Sequence, residues 1–320
     1  MVKKIKQQWF LVSLVLVFAG VILDSTGTLA KAGQYIKAHH GSDIVIFIIF
    51  IISGLIIDVE EIKTGIKDIP STFIALLTII IISPLVAGAL SLLPLEKGVI
   101  IGLFIVAVMP TTLSSGIVMT GKAGGNMVHA LFITVFSNII SVFTIPIFLS
   151  WLLSFFFENQ VVEINQVAIM QRLIMLVMLP LVIGMTTKKF FFKIKNSLKA
   201  KMQILNQMFI IGIVFMAASG AVDMFGNNFQ EIALIVLLVT IFHIILLFVS
   251  FSGSKLMKIG KGRYESVIFM GSQKTLALAV ILQLTYFSEY GIALIVCVVH
   301  HFIHLVIDGY LCVKIKNLKG

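Results

Sequence analysis

Charged side chains are scarce. They make up 12% of the 320 residues, against 59% hydrophobic residues, where soluble domains carry about 25% charged. A chain this poor in polar groups cannot cover itself in water, and its mean hydropathy of +1.11 places it among polytopic membrane proteins. Cysteine is almost absent, which excludes a disulfide scaffold. Cys297 and Cys312 share one apolar run and sit roughly 22 Å apart along a helix, too far to bond each other. Strict polar/apolar alternation is missing as well, so the spans do not read as a β-barrel. No nucleotide-binding or cofactor-binding motif occurs, which argues against ATP-driven transport by this chain alone and implies no cofactor.

What is present is a series of apolar runs near 8–23, 43–57, 70–93, 98–120, 127–156, 168–187, 205–222, 230–252, 264–287 and 290–313. At about 20 residues per span, these predict ten transmembrane helices. The first run follows Lys3, Lys4 and Lys6 without a small-residue cleavage site, so it reads as a retained helix. With ten spans and an inner N-terminus, 19 of the 24 cations fall in inner segments. Only Lys31, Lys37, Lys97 and Arg172 fall outside, and Lys274 is left within a span. That asymmetry predicts two cytoplasmic termini. The net charge of +10 then belongs to loops facing anionic lipid headgroups, and no nucleic-acid partner is implied.

Polar residues inside the runs mark the functional region. The fourth run is interrupted by "MPTTLSSG" at 109–116, holding Pro110, Thr111, Thr112, Ser114 and Ser115. The ninth is interrupted by "GSQKT" at 271–275, holding Ser272, Gln273, Lys274 and Thr275. After the first break, Thr134, Ser137, Asn138 and Ser141 share one helix face. After the second, His300, His304 and Asp308 recur at every fourth position, with His301 beside them. An ammonium at bilayer depth costs about 2.5–3.5 kcal/mol on insertion scales, so Lys274 implies a partner and a role. Irregular backbone at that depth persists only inside protein or beside a wet cavity. Paired breaks point to a transporter site near the midplane. The chain divides at the loop bearing Glu158 and Glu163 into five-span halves, 1–157 and 158–320, which must therefore run in opposite orientations. His300, His304 and Asp308 lack a further ligand pair for a closed metal shell; they read as a packed polar face or a proton path. Asp58, Glu60 and Glu61 read as a solvated helix end or a gate.

"FIISGLIIDVEEIKTGI" (50–66), "MPTTLSSGIVMTGKAGGN" (109–126), "LPLVIG" (179–184) and "GSQKTLALA" (271–279) resemble the SBF-like branch of the bile acid:sodium symporter superfamily, over nearly the whole chain. This branch includes the seventh member of vertebrate solute carrier family 10. The resemblance implies an all-α fold of ten helices in two inverted five-helix repeats. It implies a panel domain over about 1–57 and 168–224. A core domain would cover about 69–157 and 229–316, where discontinuous helices 4 and 9 cross. It also implies organic-anion substrates cotransported with sodium.

Against the family's sodium motif, Gln273, Ser115 and Thr134 match ligand positions. Phe269 stands where the glutamate would be, and Lys274, Gly116 and Ala130 replace further oxygen-bearing residues. The expectation is therefore a secondary transporter in which Lys274 takes the place of a bound sodium ion, its donors satisfied by Ser115, Thr134 or free carbonyls. If Lys274 releases its proton, protons rather than sodium couple transport; if not, it is a structural pin. The expected site comprises Pro110, Thr111, Thr112, Ser114, Ser115, Thr134, Asn138, Ser272, Gln273, Lys274, Thr275, His301 and His304. The expected partner is a small organic anion, and the expected location is a bacterial inner membrane. Two other classes stay open: a regulator of ion homeostasis without its own transport, and an intramembrane enzyme using Ser272 or Ser115 with Lys274.

Overall fold

The computed structural model describes residues 2–24, 26–57, 68–157, 165–191, 194, 196–221 and 229–317, and every regular element among them is helical. The carboxylates Asp58, Glu60, Glu61, Glu158 and Glu163 lie outside the described residues, as do Lys63, Lys67, Lys193, Lys195 and Lys319.

In chain order the helices are α1 (Val2–Leu23), α2 (Thr28–Ala38), α3 (Gly41–Ile56), α4 (Ile69–Leu90) and α5 (Lys97–Val108). Then come α6 (Ser115–Lys122), α7 (Met127–Phe157), α8 (Gln166–Phe190) and α9 (Asn196–Ala221). The chain continues through α10 (Phe229–Leu256), α11 (Arg263–Ser272), α12 (Leu276–Tyr286) and α13 (Gly291–Asn317).

Among the described residues, seven helical stretches are long and apolar enough to cross a bilayer: α4, α7, α8, α9, α10, the α11–α12 run and α13. The pair α2–α3, bent by 71°, makes an eighth if it counts as one span. This is an integral membrane protein. The fourth run is absent from this count for a physical reason. The break after Val108 splits the fourth run into pieces of 12 and 8 residues, each too short to cross alone. Helix α2 was not visible as an apolar run because it is rich in Lys, Gln and Gly. It meets α3 at His40, whose φ of 59° lies in the left-handed region that ends helices.

Two long helices carry a turn of π-helix, Thr78–Ile82 in α4 and Ile174–Met178 in α8, and each is followed within two residues by proline, Pro84 and Pro180. Proline offers no N–H to the preceding turn, so the ladder slips to a wider register and leaves carbonyls without their usual donors.

Burial grades inward. The apolar windows of α4, α7, α8, α9 and α10 are 33–39% buried, whereas that of α11–α12 is 94% buried. The α11–α12 run is thus enclosed by protein, and the other helices keep apolar faces outward, as lipid solvent requires. Helix α5 is also enclosed, with every residue from Gly98 to Val108 buried. It packs chiefly on α13, while α11 packs on α10, α4 and α6. Helices α3 and α8 cross at Gly54 and Gly184, where a Cβ on either glycine would run into the facing main chain. Helix α9 packs on α1, α2 and α3.

Candidate functional site

The site begins with two interruptions. Pro110 has no N–H to continue α5, and it drives the preceding residue out of the helical region: Met109 is extended, with φ −69° and ψ 145°. In the second break Gln273 (φ −75°, ψ 148°) and Thr275 (φ −76°, ψ 128°) are extended. The breaks meet, because the Thr275 amide donates to the Pro110 carbonyl at 3.0 Å.

Lys274, 2% exposed, points into a cage of main-chain oxygens. Its Nζ donates to the carbonyls of Ile79, Ala107 and Met109, each at 3.0 Å. Ala107 and Met109 end α5, where carbonyls lack helical partners and the dipole is negative. Ile79 lies in the π turn of α4, below Pro84. The Ser83 hydroxyl shares the Ala107 carbonyl at 2.7 Å. Three donors thus meet three acceptors. Of the partners the sequence offered for Lys274, carbonyls at the broken helix hold it, and Ser115 and Thr134 are engaged elsewhere.

Gln273 faces the other way. Its Oε1 accepts from Thr112 Oγ1 at 2.8 Å and Ser115 Oγ at 2.9 Å, and its Nε2 donates to Asp308 Oδ2 at 2.7 Å. The other Asp308 oxygen lies 3.0 Å from His243 Nε2, both side chains fully buried. His301 Nδ1 and His304 Nε2 are 2.9 Å apart, and both rings lie against the main chain of Lys274. His300 is one helical turn before His304, with ring centroids 5.4 Å apart.

The polar stripe of α7 props the first break from behind. Asn138 Nδ2 donates to the Thr111 carbonyl at 3.3 Å and the Thr134 carbonyl at 2.8 Å. Thr134 bonds the Ala130 carbonyl at 2.9 Å and reaches the Thr112 carbonyl at 3.5 Å. Ser272 donates to the Ile268 carbonyl at 2.8 Å. Phe269 packs with Ala123, Cys312 and Ile315. A Cβ built on Gly116 would lie 2.6 Å from Met270 Sδ and 3.1 Å from Gln273 Oε1, so Met270 fills the space a larger residue would need.

In front of the crossing lies a crevice of about 670 Å³. One wall is Thr112–Ser115, Val118, Met119 and Lys122, with Thr275–Ala277 and, from α13, His301, Leu305, Val306, Gly309, Tyr310, Cys312 and Val313. The facing wall is Phe10, Ile49, Ser53, Gln203, Asn206, Gln207 and Ile210. Of the expected site residues, Thr112, Ser114, Ser115, Thr275 and His301 line this space. Pro110, Thr111, Thr134, Asn138, Ser272, Gln273, Lys274 and His304 do not, and sit behind it. The first turns of α6 and α12 border the crevice, and no Asp or Glu among the described residues lines it.

The facing wall escaped the sequence reading. Gln203, Asn206, Gln207 and Ile210 follow i, i+3, i+4, i+7 spacing, a polar stripe entering an apolar run. Asn206 is fixed by Ser53 Oγ at 2.9 Å. His243 was also missed, although an ionisable residue alone in an apolar span is itself a functional signal.

The family model for the SBF-like CPA transporter family matches residues 8–317. Among curated relatives, "Probable sodium/metabolite cotransporter BASS4, chloroplastic" of Arabidopsis thaliana is 28% identical over 278 residues, covering 82% of this chain and 63% of that protein. The match thus spans less than two thirds of that relative's length. "Sodium/bile acid cotransporter 7-A" of Xenopus laevis is 25% identical over 291 residues, covering 88% of this chain and 82% of that protein. "Sodium/bile acid cotransporter 7" of Xenopus tropicalis is 25% identical over 301 residues, covering 91% and 85%.

Proposed function

The chain belongs to the SBF-like CPA transporter family, and we propose that it is a secondary transporter of a small organic anion that works without sodium. The observation that carries this reading is the lining of the crevice. Two helix starts, at Ser115 and Leu276, border it with hydroxyls and Lys122, and no carboxylate of the described residues faces it. Helix N-termini present unpaired N–H groups and positive dipole ends, which favour an anion. The apolar share of the lining, with Phe10, Ile49, Leu276 and Val313, suits a solute with a hydrophobic body.

Lys274 supports the second part. A sodium ion at a helix crossing is held by oxygens, including carbonyls at broken helices, and here an ammonium already takes up three of them. The named relatives are called sodium cotransporters; Phe269 and Lys274 are why this chain departs from them. A proton is then the coupling ion. In this reading the molecule has ten spans in two inverted five-helix repeats. A panel of α1–α3, α8 and α9 faces a core of α4–α7 and α10–α13, and both termini lie in the cytoplasm of a bacterial cell.

The test is uptake into proteoliposomes in sodium-free buffer across a pH series, with taurocholate as a bile-acid probe. Uptake driven by an inward proton gradient is expected. Uptake that appears only when sodium is added refutes the sodium-free reading.

A further inference from the structure

We propose that the buried Asp308–His243 pair is the proton-loading site of this transporter, fed from the crevice by His301 and His304 and read back to the crevice floor by Gln273. The inference rests on the transport reading above and names the group that exchanges the coupling proton, which Lys274 is poorly built to do. A deprotonated Lys274 would have at most two N–H groups for three carbonyls at 3.0 Å, and a lone pair aimed at an oxygen.

The pair has what Lys274 lacks, a vacant acceptor. His243 Nδ1, His304 Nδ1 and His300 Nε2 are buried and have no hydrogen-bond partner among the described residues, although buried polar atoms are usually paired. His301 lines the crevice and touches His304 at 2.9 Å. The His304 ring lies 5.8 Å from that of His243, and the His300 ring is 5.4 Å from the first and 5.9 Å from the second. A run of imidazoles therefore connects solvent in the crevice to a fully buried carboxylate.

The step balances without another reactant. A hydronium proton in the crevice is taken up at His301 and handed on through His304 to His243 Nδ1, and the His243 Nε2 proton passes 3.0 Å to Asp308 Oδ1. The pair goes from carboxylate plus neutral imidazole to carboxylic acid plus neutral imidazole, and its charge from −1 to 0. Gln273 cannot carry the proton, because an amide does not titrate, but it reports the change. Its bond to Asp308 Oδ2 at 2.7 Å is charge-assisted only while Asp308 is ionised. The same side chain holds Thr112 and Ser115 at the crevice floor. Removing a buried negative charge behind that floor favours an anion in front of it, so proton and anion bind together, as symport requires.

The ionisable groups around the pair are Lys122 on α6, Tyr264 and Glu265 on α11, Lys274 in the second break, and His300, His301, His304 and Cys312 on α13 itself. Helix α10 contributes His243 between Glu231 and Lys255 near its ends. Over 69–90 of α4, Gly98–Val108 of α5, 203–220 of α9 and 276–285 of α12, the remaining neighbours carry no ionisable side chain.

The test uses the full-length protein in lipid nanodiscs, titrated between about pH 5 and 9 by infrared difference spectroscopy, alongside sodium-free taurocholate uptake. A protonated-carboxyl band that grows as pH falls is expected in the wild type. The component from Asp308 should be lost in Asp308→Asn, leaving that of Glu96, and its midpoint should move in His243→Gln. Uptake should lose its pH-gradient dependence in both variants. Identical titrations in the wild type, His243→Gln and Asp308→Asn, with no component lost, overturn the proposal. If the wild type takes up no taurocholate while the band titrates and responds to both substitutions, the proton site stands and the transport reading fails for that probe. His243→Gln keeps the test valid if Asp308→Asn does not fold.

Discussion

The Thr275 amide donates to the Pro110 carbonyl at 3.0 Å, so each broken helix satisfies part of the other's backbone. The groups left over divide by sign. Carbonyls of Ala107 and Met109, with that of Ile79, turn away from the crevice and hold Lys274. The first turns of α6 and α12 border the crevice instead. One crossing therefore holds the Lys274 ammonium behind and turns two helix starts to the crevice in front.

Replacing Lys274 by alanine should destabilise the protein strongly. Orphaned buried acceptors cost about 1–3 kcal/mol each; Ile79 and Met109 lose the Lys274 donor outright, and Ala107 keeps Ser83. Lys274→Met restores most of the volume without the donors and should be nearly as unstable. Thermal unfolding of the purified variants checks this, and a methionine variant as stable as the wild type would show that the ammonium is not needed.

A sodium response should be partly recoverable. Phe269→Glu together with Lys274→Asn returns the carboxylate and frees the carbonyl cage. Sodium should then raise the melting temperature of the double variant while leaving the wild type unmoved. The shift should be small, because Gly116 and Ala130 still lack the oxygens of the family's motif. Phe269→Glu alone, with Lys274 retained, should show no sodium effect. A sodium-stabilised wild type would refute the tethered-cation reading.

The crossing was legible because proline and lysine inside apolar runs have few explanations. Pro110 must break a helix, and Lys274 must find acceptors. Which acceptors it finds was not legible, since the Ile79 carbonyl is freed by a π turn 195 positions away in sequence. His243 escaped for a related reason: nothing in the run around it on α10 signals that it meets Asp308, 65 positions later. The ten apolar runs were clear, and among the described residues seven or eight stretches pass as membrane-length helices; the fourth run does not, because the break after Val108 divides it into α5 and α6.

Orientation can be read by labelling. If both termini are cytoplasmic, Lys97 lies outside and Lys258 inside; both side chains are exposed. In a Cys297→Ser, Cys312→Ser background, a cysteine at position 97 should react with a membrane-impermeant maleimide on intact cells. One at position 258 should react only after permeabilisation. The reverse pattern would invert the whole arrangement, including the direction in which the crevice opens.

Stability should also fall as pH rises toward neutrality, through a surface pair unconnected with the crossing. The carboxyl of Glu96, just before α5, is pushed up to about 7 by a hydrogen bond shared with Glu231, by burial and by the repulsion of that second carboxylate. A carboxyl whose folded value exceeds its ordinary 4.5 binds its proton more tightly in the folded state. Its contribution is therefore full below about pH 4.5 and disappears as pH rises through about 7. The wild-type melting temperature should decline across that window, and Glu96→Gln, which keeps a hydrogen-bond donor for Glu231 without titrating, should flatten the decline. Equal slopes for the two proteins would show that the carboxyls do not share a proton.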